Sequence, residues 1–360
     1  MRTVPLAAVV VLALAACSDS TVGPRPLIDR PIDASAVVTN LWSPELLTLP
    51  SGHDIGEAED INDSRLAVGW SEDFSGTSPM PVRWSAAGTP SILTMPGTAN
   101  GGNAIAINNA GQIVGWVKSS GVNQPARLGA SPALLMPGFR GSAMDINASG
   151  AAVGYVYLSP SSSTSLPMHW TAAGAPSFLK VPTGYFEAVA TGISDDGTIT
   201  GWAHYRNDTG NIIYVDYRAV MWSSPSATPV FLGPSSVVSA PTVSMSPDGV
   251  IMIARDNGSS GFSQSFAAPY DAMLGSTTSI VTRARNDRRR MVGHNPATNI
   301  AHTRRDGITT GLVQPAGSVA SSANGVNGCG SAVGYFRTTT VVNMPFPVRW
   351  ERSGVCDAPW

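Results

Sequence analysis

Lysine is nearly missing from this chain: Lys118 and Lys180 are the only two among its 360 residues. Charged residues of all kinds make up 13 %, and the formal net charge is −2. That leaves no basic field of the kind that holds a nucleic-acid backbone. Glutamate occurs at six positions only (Glu45, Glu57, Glu59, Glu72, Glu187 and Glu351), and none has an acidic partner at a recurrent spacing, as a glycosidase pair would need. No G-x-S-x-G, H-E-x-x-H or Asp-rich calcium loop is present. His169 and His302 fall in different repeats without a second ligand at metal-site spacing, so neither a metal nor a cofactor is expected. Long helical periodicity is absent. The longest apolar run, Val4 to Leu14, is too short to span a bilayer as a mature helix.

What is abundant is punctuation, with 37 Gly and 28 Pro, the mark of many short strands joined by turns. The phrase Ala104 to Trp116 (A-I-A-I-N-N-A-G-Q-I-V-G-W) recurs along the chain. Asn62, Asn108, Asn147, Asn286 and Asn327, with Ser194 in a sixth copy, each precede a glycine by seven residues: Gly69, Gly115, Gly154, Gly293, Gly334 and Gly201. A seventh, degenerate copy turns at Ser246-Pro247-Asp248-Gly249 and carries Ile253 where the glycine belongs. Spacings of roughly 40 to 50 residues between short-strand units indicate propeller blades. Each unit continues with a second half, as in Arg83-Trp84, then a Gly turn and a closing apolar strand, making four strands, a to d; the residue before the Trp or its equivalent is basic in five copies, Arg83, Arg127, His169, His302 and Arg349. The last copy stops before strand d, while Leu41 to Pro50 resembles a free-standing end of a unit. The expectation is an all-β, seven-bladed propeller of four-stranded blades, its ring closed by an N-terminal strand that completes the last blade and removes exposed edges. An open solenoid of the same units is the alternative.

Residues 1–16 read as a signal peptide, with Arg2, the apolar run and a small-residue cleavage site. Leu14-Ala15-Ala16-Cys17 resembles the lipobox of bacterial lipoproteins. That resemblance implies lipid on Cys17, and Ser18 after it implies the outer membrane. Residues 17–36, broken by Pro24, Pro26 and Pro31, read as a tether, and 37–360 as the propeller. Cys329 and Cys356 remain as an even pair in an oxidising compartment, a plausible disulfide within the last unit.

The repeated phrase, followed by the basic residue and Trp, then G and L-x-x-P, resembles the bacterial extracellular HAF repeat over nearly all of residues 41–360. The resemblance implies a secreted, propeller-like protein and assigns no catalytic residue.

Two candidate sites follow from the residues. The connection between strands b and c is longest from Ala203 to Tyr217 and holds Tyr205, Arg206, Asp208, Tyr214 and Tyr217, with Tyr157 on a neighbouring connection. Tyrosine supplies contact area with a polar tip, and variable loops on a rigid scaffold carry binding groups. Arg283 and Arg285, in an Arg-rich run, could line the axis with Asp60 and Asp145 as an anion-binding patch. Arg285 stands where other copies have Ile, so it is either paired or marks a decayed repeat. The functional expectation is a non-catalytic binding module of the cell envelope for a glycan, peptide or protein partner, touching the membrane only through its lipid. A glycan-active hydrolase or lyase in the axial funnel and a purely structural envelope protein are the alternatives.

Overall fold

The computed structural model describes residues 42–76, 78–159, 161–208, 213–236, 240–255, 262–266, 273–277, 281–288, 290–305, 308–339 and 344–353. The signal peptide, Cys17, the tether and Cys356 lie outside these residues. Every element among them is a strand, and the strands form a β-propeller with four-stranded antiparallel blades. Seven four-stranded sheets are present among the described residues, numbered here 1 to 7 along the chain. Their first strands, a, are Ile55–Ile61, Gly102–Ile107, Gly141–Ile146, Glu187–Ile193, Thr242–Met245, Val281–Arg285 and Ser318–Val326. Sheet 7 takes its fourth strand from the other end of the chain: Trp42–Leu46 pairs antiparallel with Pro345–Arg352, Trp42 opposite Arg352 and Leu46 opposite Val348.

Apolar clusters sit between successive sheets rather than within one. Leu93 and Val68 of sheet 1 pack on Ala104, Ile113 and Val117 of sheet 2. Val333 of sheet 7 joins Leu47 in packing on Ala58, Ile61 and Trp84 of sheet 1. The strand-c tryptophans Trp84, Trp170, Trp222 and Trp350 are fully buried. Three of them donate an indole N–H to the segment leaving the preceding sheet: Trp84 to Thr48 O, Trp222 to Lys180 O and Trp350 to Val313 O. Such an acceptor offsets the burial of the indole N–H and ties three sheets to the segment before them, while Trp170 is buried without one.

The motif asparagine is a two-way fastener. Its Oδ1 accepts the backbone N–H four residues on, closing its own turn, as Asn108 does for Gln112 N (2.9 Å) and Asn147 for Ala151 N (3.0 Å). Its Nδ2 donates to the same position of the next sheet: Asn62 to Asn108 O, Asn108 to Asn147 O, Asn147 to Ser194 O, Asn286 to Asn327 O and Asn327 to Asn62 O. Where Ser replaces Asn the link changes. Asp195 N donates to Pro247 O between sheets 4 and 5. Between sheets 5 and 6, Arg285 reaches back to Ser246 Oγ (2.8 Å) and Asp248 Oδ1 (3.1 Å). Arg285 is therefore a paired substitute for a missing amide, neither an open anion site nor the sign of a decayed repeat.

The motif glycine of strand b has an equally local cause. In six sheets strand a carries an extra, bulged residue: Glu59, Ile105, Met144, Thr191, Arg283 and Asn324. Each bulge pushes a strand-a carbonyl to 1.9–2.1 Å from where a Cβ on the facing glycine would stand, as Ser142 O does at Gly154. Sheet 5 alone has no register shift between strands a and b, and there Val243 faces Ile253 directly. Ile253 is thus the residue permitted where the bulge is lacking.

Candidate functional site: an axial cavity and an aromatic cleft

The bulged residues meet at the axis, where a cavity of about 500 Å³ runs from Glu59, Ile105, Met144, Thr191, Arg283 and Asn324 to the a–b turns. All four residues of the expected axial patch line it. Asp60 and Asp145 are already engaged: each carboxylate accepts its own next amide (Ile61 N and Ile146 N, both 2.8 Å) and one from the following sheet (Ile107 N, 2.9 Å; Ile193 N, 2.8 Å). Burial pushes Asp60 up to about 6 and Asp145 up to about 7, with the backbone amides pulling the other way. With Asp63, Asp195 and Asp287 at the rim and Glu59 within, the lining holds more acids than arginines, which argues against an anion site. Glu59 accepts a hydrogen bond from Asn103 Nδ2 (3.3 Å). Its neighbour Glu57 is pushed up to about 7, by burial first and then by the Glu59 charge, against Arg337 and Arg283. These two glutamates were missed because the bulge that turns Glu59 to the axis leaves no periodic trace.

The described residues of the segment from Ala203 to Tyr217 are strand rather than loop: Ile199–Asp208 pairs with Ile213–Trp222, with Tyr205 opposite Asp216, His204 opposite Tyr217, Asn207 opposite Tyr214 and Asp208 opposite Ile213. Residues 209–212 and the side chains of Asp208 and Tyr214 lie outside the described residues. Alternation puts Tyr205 and Tyr217 on opposite faces of the hairpin. Tyr217 is stacked on His204 (centroids 4.2 Å apart), which pairs with Glu187 (2.7 Å). Tyr205 lies against Tyr185 (5.9 Å), whose hydroxyl donates to Asp216. Arg206 is exposed. The expected tyrosines therefore do not form one surface.

Tyr157, by contrast, belongs to a second concavity. A cleft of about 360 Å³ is lined by Trp116 and Asn123 of sheet 2, by Arg140, Ser142, Tyr155 and Tyr157 at the entry and exit of strands in sheet 3, and by Ile105 and Met144. Ile105 and Met144 line both spaces and so partition the cleft from the axial cavity. Tyr155 and Tyr157 meet edge to face (5.5 Å, 87°). The Arg140 guanidinium lies 3.7 Å over the Tyr157 ring and donates through Nη2 to Ser162 O. No carboxylate lines the cleft. A signal for it was present in the sequence: the residue after each strand-b glycine is Trp70, Trp116, Tyr155, Trp202, His294 or Tyr335, an aromatic ring system in every such copy.

The basic residue before the strand-c Trp serves structure where its contacts are seen. Arg127 Nη2 donates to Gly150 O, Thr171 O and Ala172 O of the next sheet. Arg349 does the same from sheet 7 to Arg65 O, Ser85 O and Ala86 O of sheet 1, and is paired with Glu45 and Glu351.

No protein-family model matches the chain, and no curated protein does. Its structure is similar to that of puromycin hydrolase: TM-score 0.53 at 14 % identity in one structure, covering 79 % of this chain and 50 % of that one. A second structure of that enzyme gives 0.53 at 13 %, covering 85 % and 54 %. The Dos1 propeller is similar at TM-score 0.50 and 10 % identity, covering 85 % of this chain and 82 % of that one. The chain spans about half the length of puromycin hydrolase. At these identities the likeness shows the propeller fold alone.

Proposed function

We propose that this chain is a non-catalytic binding module of the bacterial cell envelope, a closed seven-bladed propeller held to the outer membrane by lipid on Cys17. The face that carries the b–c and d–a connections is its contact surface, with the cleft between sheets 2 and 3 at its centre and the sheet 4 hairpin beside it. The observation that carries this reading is the cleft's lining: aromatic rings, an amide, a hydroxyl and a guanidinium, with no acid. Small-ligand sites are mostly apolar or aromatic concavities with a few convergent polar groups, roughly 300–1,000 Å³ in volume. Hydrolysis of a glycosidic bond needs paired carboxylates instead. The partner is an envelope glycan, peptide or protein. A disulfide between Cys329 and Cys356 belongs to the same proposal, and two reactive thiols in the denatured, non-reduced protein would exclude it. The reading is tested by capturing envelope components on the full-length protein in detergent, with Trp116→Ala/Tyr157→Ala beside it. Loss of a captured partner with unchanged melting supports it; capture indifferent to both substitutions contradicts it. A glycan-active hydrolase in the axial funnel is the second reading, favoured by Glu59 in the lining of the axial cavity with Glu57 close enough to feel its charge, a buried carboxyl pair in which burial favours the protonated form. Turnover of an envelope glycan abolished by Glu57→Gln would establish it.

A further inference from the structure

The cleft's one charged side chain is unusually placed, and its placement narrows the ligand. Arg140 has no acid against it among the described residues: its guanidinium carbon lies 3.7 Å over the Tyr157 ring, one nitrogen is used by a backbone carbonyl, and its Nε has no hydrogen-bond partner. A guanidinium that no carboxylate neutralises, with donors beyond the one used by Ser162 O, favours an arriving anion by charge and by hydrogen bonding. Nothing in the lining repels an anion. Around this cation stand three aromatic side chains, Trp116, Tyr155 and Tyr157, and two groups able to meet hydroxyls, the exposed Asn123 amide and Ser142. Ser142 Oγ donates to Ala143 O (3.1 Å), which leaves its lone pairs free to accept.

Building on the proposal that this cleft is the contact surface, we infer that it takes a carboxylated pyranose, a uronic acid unit of an acidic polysaccharide. The sugar's C–H face lies on the aromatic rings, its carboxylate meets Arg140 and its hydroxyls meet Asn123 and Ser142. A planar guanidinium matches a carboxylate in two parallel hydrogen bonds. Stacking on Trp and Tyr suits a ring with one apolar face. A proline-rich peptide would use the aromatic rings but leave Arg140 without its acceptor.

The experiment is calorimetric titration of the full-length protein in detergent with tetragalacturonate, with cellotetraose as a neutral sugar of the same length, and with a proline-rich peptide. Tetragalacturonate binding is expected to weaken roughly tenfold to a hundredfold in Arg140→Gln, the range of a lost charge-assisted bond, and to vanish in Trp116→Ala. Arg140→Lys keeps the charge and a similar reach, and should recover part of the affinity if Arg140→Gln has not simply disturbed the fold. Cellotetraose binding as tightly as tetragalacturonate, unaffected by Arg140→Gln, would overturn the uronate assignment while leaving the cleft as a binding surface. Binding of the peptide alone, abolished by Trp116→Ala, would do the same. Tetragalacturonate binding indifferent to both Arg140→Gln and Trp116→Ala would overturn the inference and the cleft together.

Discussion

The link between the strand-a bulge and the strand-b glycine can be tested by Gly154→Ala. An ideal Cβ at Gly154 stands 2.1 Å from Ser142 O and 2.9 Å from the Ala143 Cα, both backbone atoms that cannot rotate away. The strands must part by more than an ångström to reach ordinary contact. Overpacking of this kind costs roughly 1–3 kcal/mol. The movement also strains Asp145, two residues from Ala143, whose carboxyl ties sheet 3 to sheet 4 through Ile193 N (2.8 Å); such a hydrogen bond contributes roughly 0.5–1.5 kcal/mol net. A total near 3 kcal/mol is expected, a fall in melting temperature of about 6 °C at roughly 2 °C per kcal/mol for a large domain. Deleting the bulged residue, Met144, in the Gly154→Ala background should recover part of the loss, because sheet 5 pairs Val243 with Ile253 in that unbulged way. The assay is thermal melting followed by circular dichroism. Gly154→Ala melting within a degree of wild type, or a double variant worse than the single one, would refute the reasoning.

Three further outcomes follow from the same structure. Asn108→Ala removes the donor to Asn147 O and the acceptor for Gln112 N, and chemical denaturation should show a loss of about 2–3 kcal/mol. Asp60 and Asp145 are raised by burial to about 6 and about 7. The folded state therefore holds more protons than the unfolded one between pH 4 and 7, and stability should fall as pH rises through that window and level off above it. Denaturation midpoints at stepped pH should show this slope, and Asp145→Asn should reduce it. Cys17→Ser should shift the protein out of the membrane fraction or leave it as an uncleaved precursor, as palmitate labelling of both forms would show.

Much of the architecture was legible because it repeats. The seven-residue interval from Asn to Gly, the strand-c Trp and the free strand before residue 50 each recur or pair off in the sequence, and each has a place in the sheets. What stayed hidden was whatever depends on one residue of register. The bulge shows in sequence only as a variable residue after a small one (Glu59 after Ala58, Arg283 after Thr282), yet it decides that Glu59 and Arg283 face the axis and that the strand-b residue must be glycine. Arg285 read as anomalous because its partners, Ser246 and Asp248, lie a whole repeat away. The hairpin of sheet 4 read as a loop because Tyr, Arg and Asp carry no period-2 apolar alternation, although tyrosine favours strands. Only Tyr157 of the cleft stood out in the sequence; Trp116 and Tyr155 occupy the position after the strand-b glycine, and an aromatic residue that recurs in six copies reads as scaffold.

The most direct test of the central claim is a crystal structure of the protein with a partner captured from the envelope. Density for the partner in the cleft between sheets 2 and 3, against Trp116, Arg140 and Tyr157, is the predicted result. A partner seated instead in the axial cavity at the a–b turns, against Asp63 and Asp195, would contradict it.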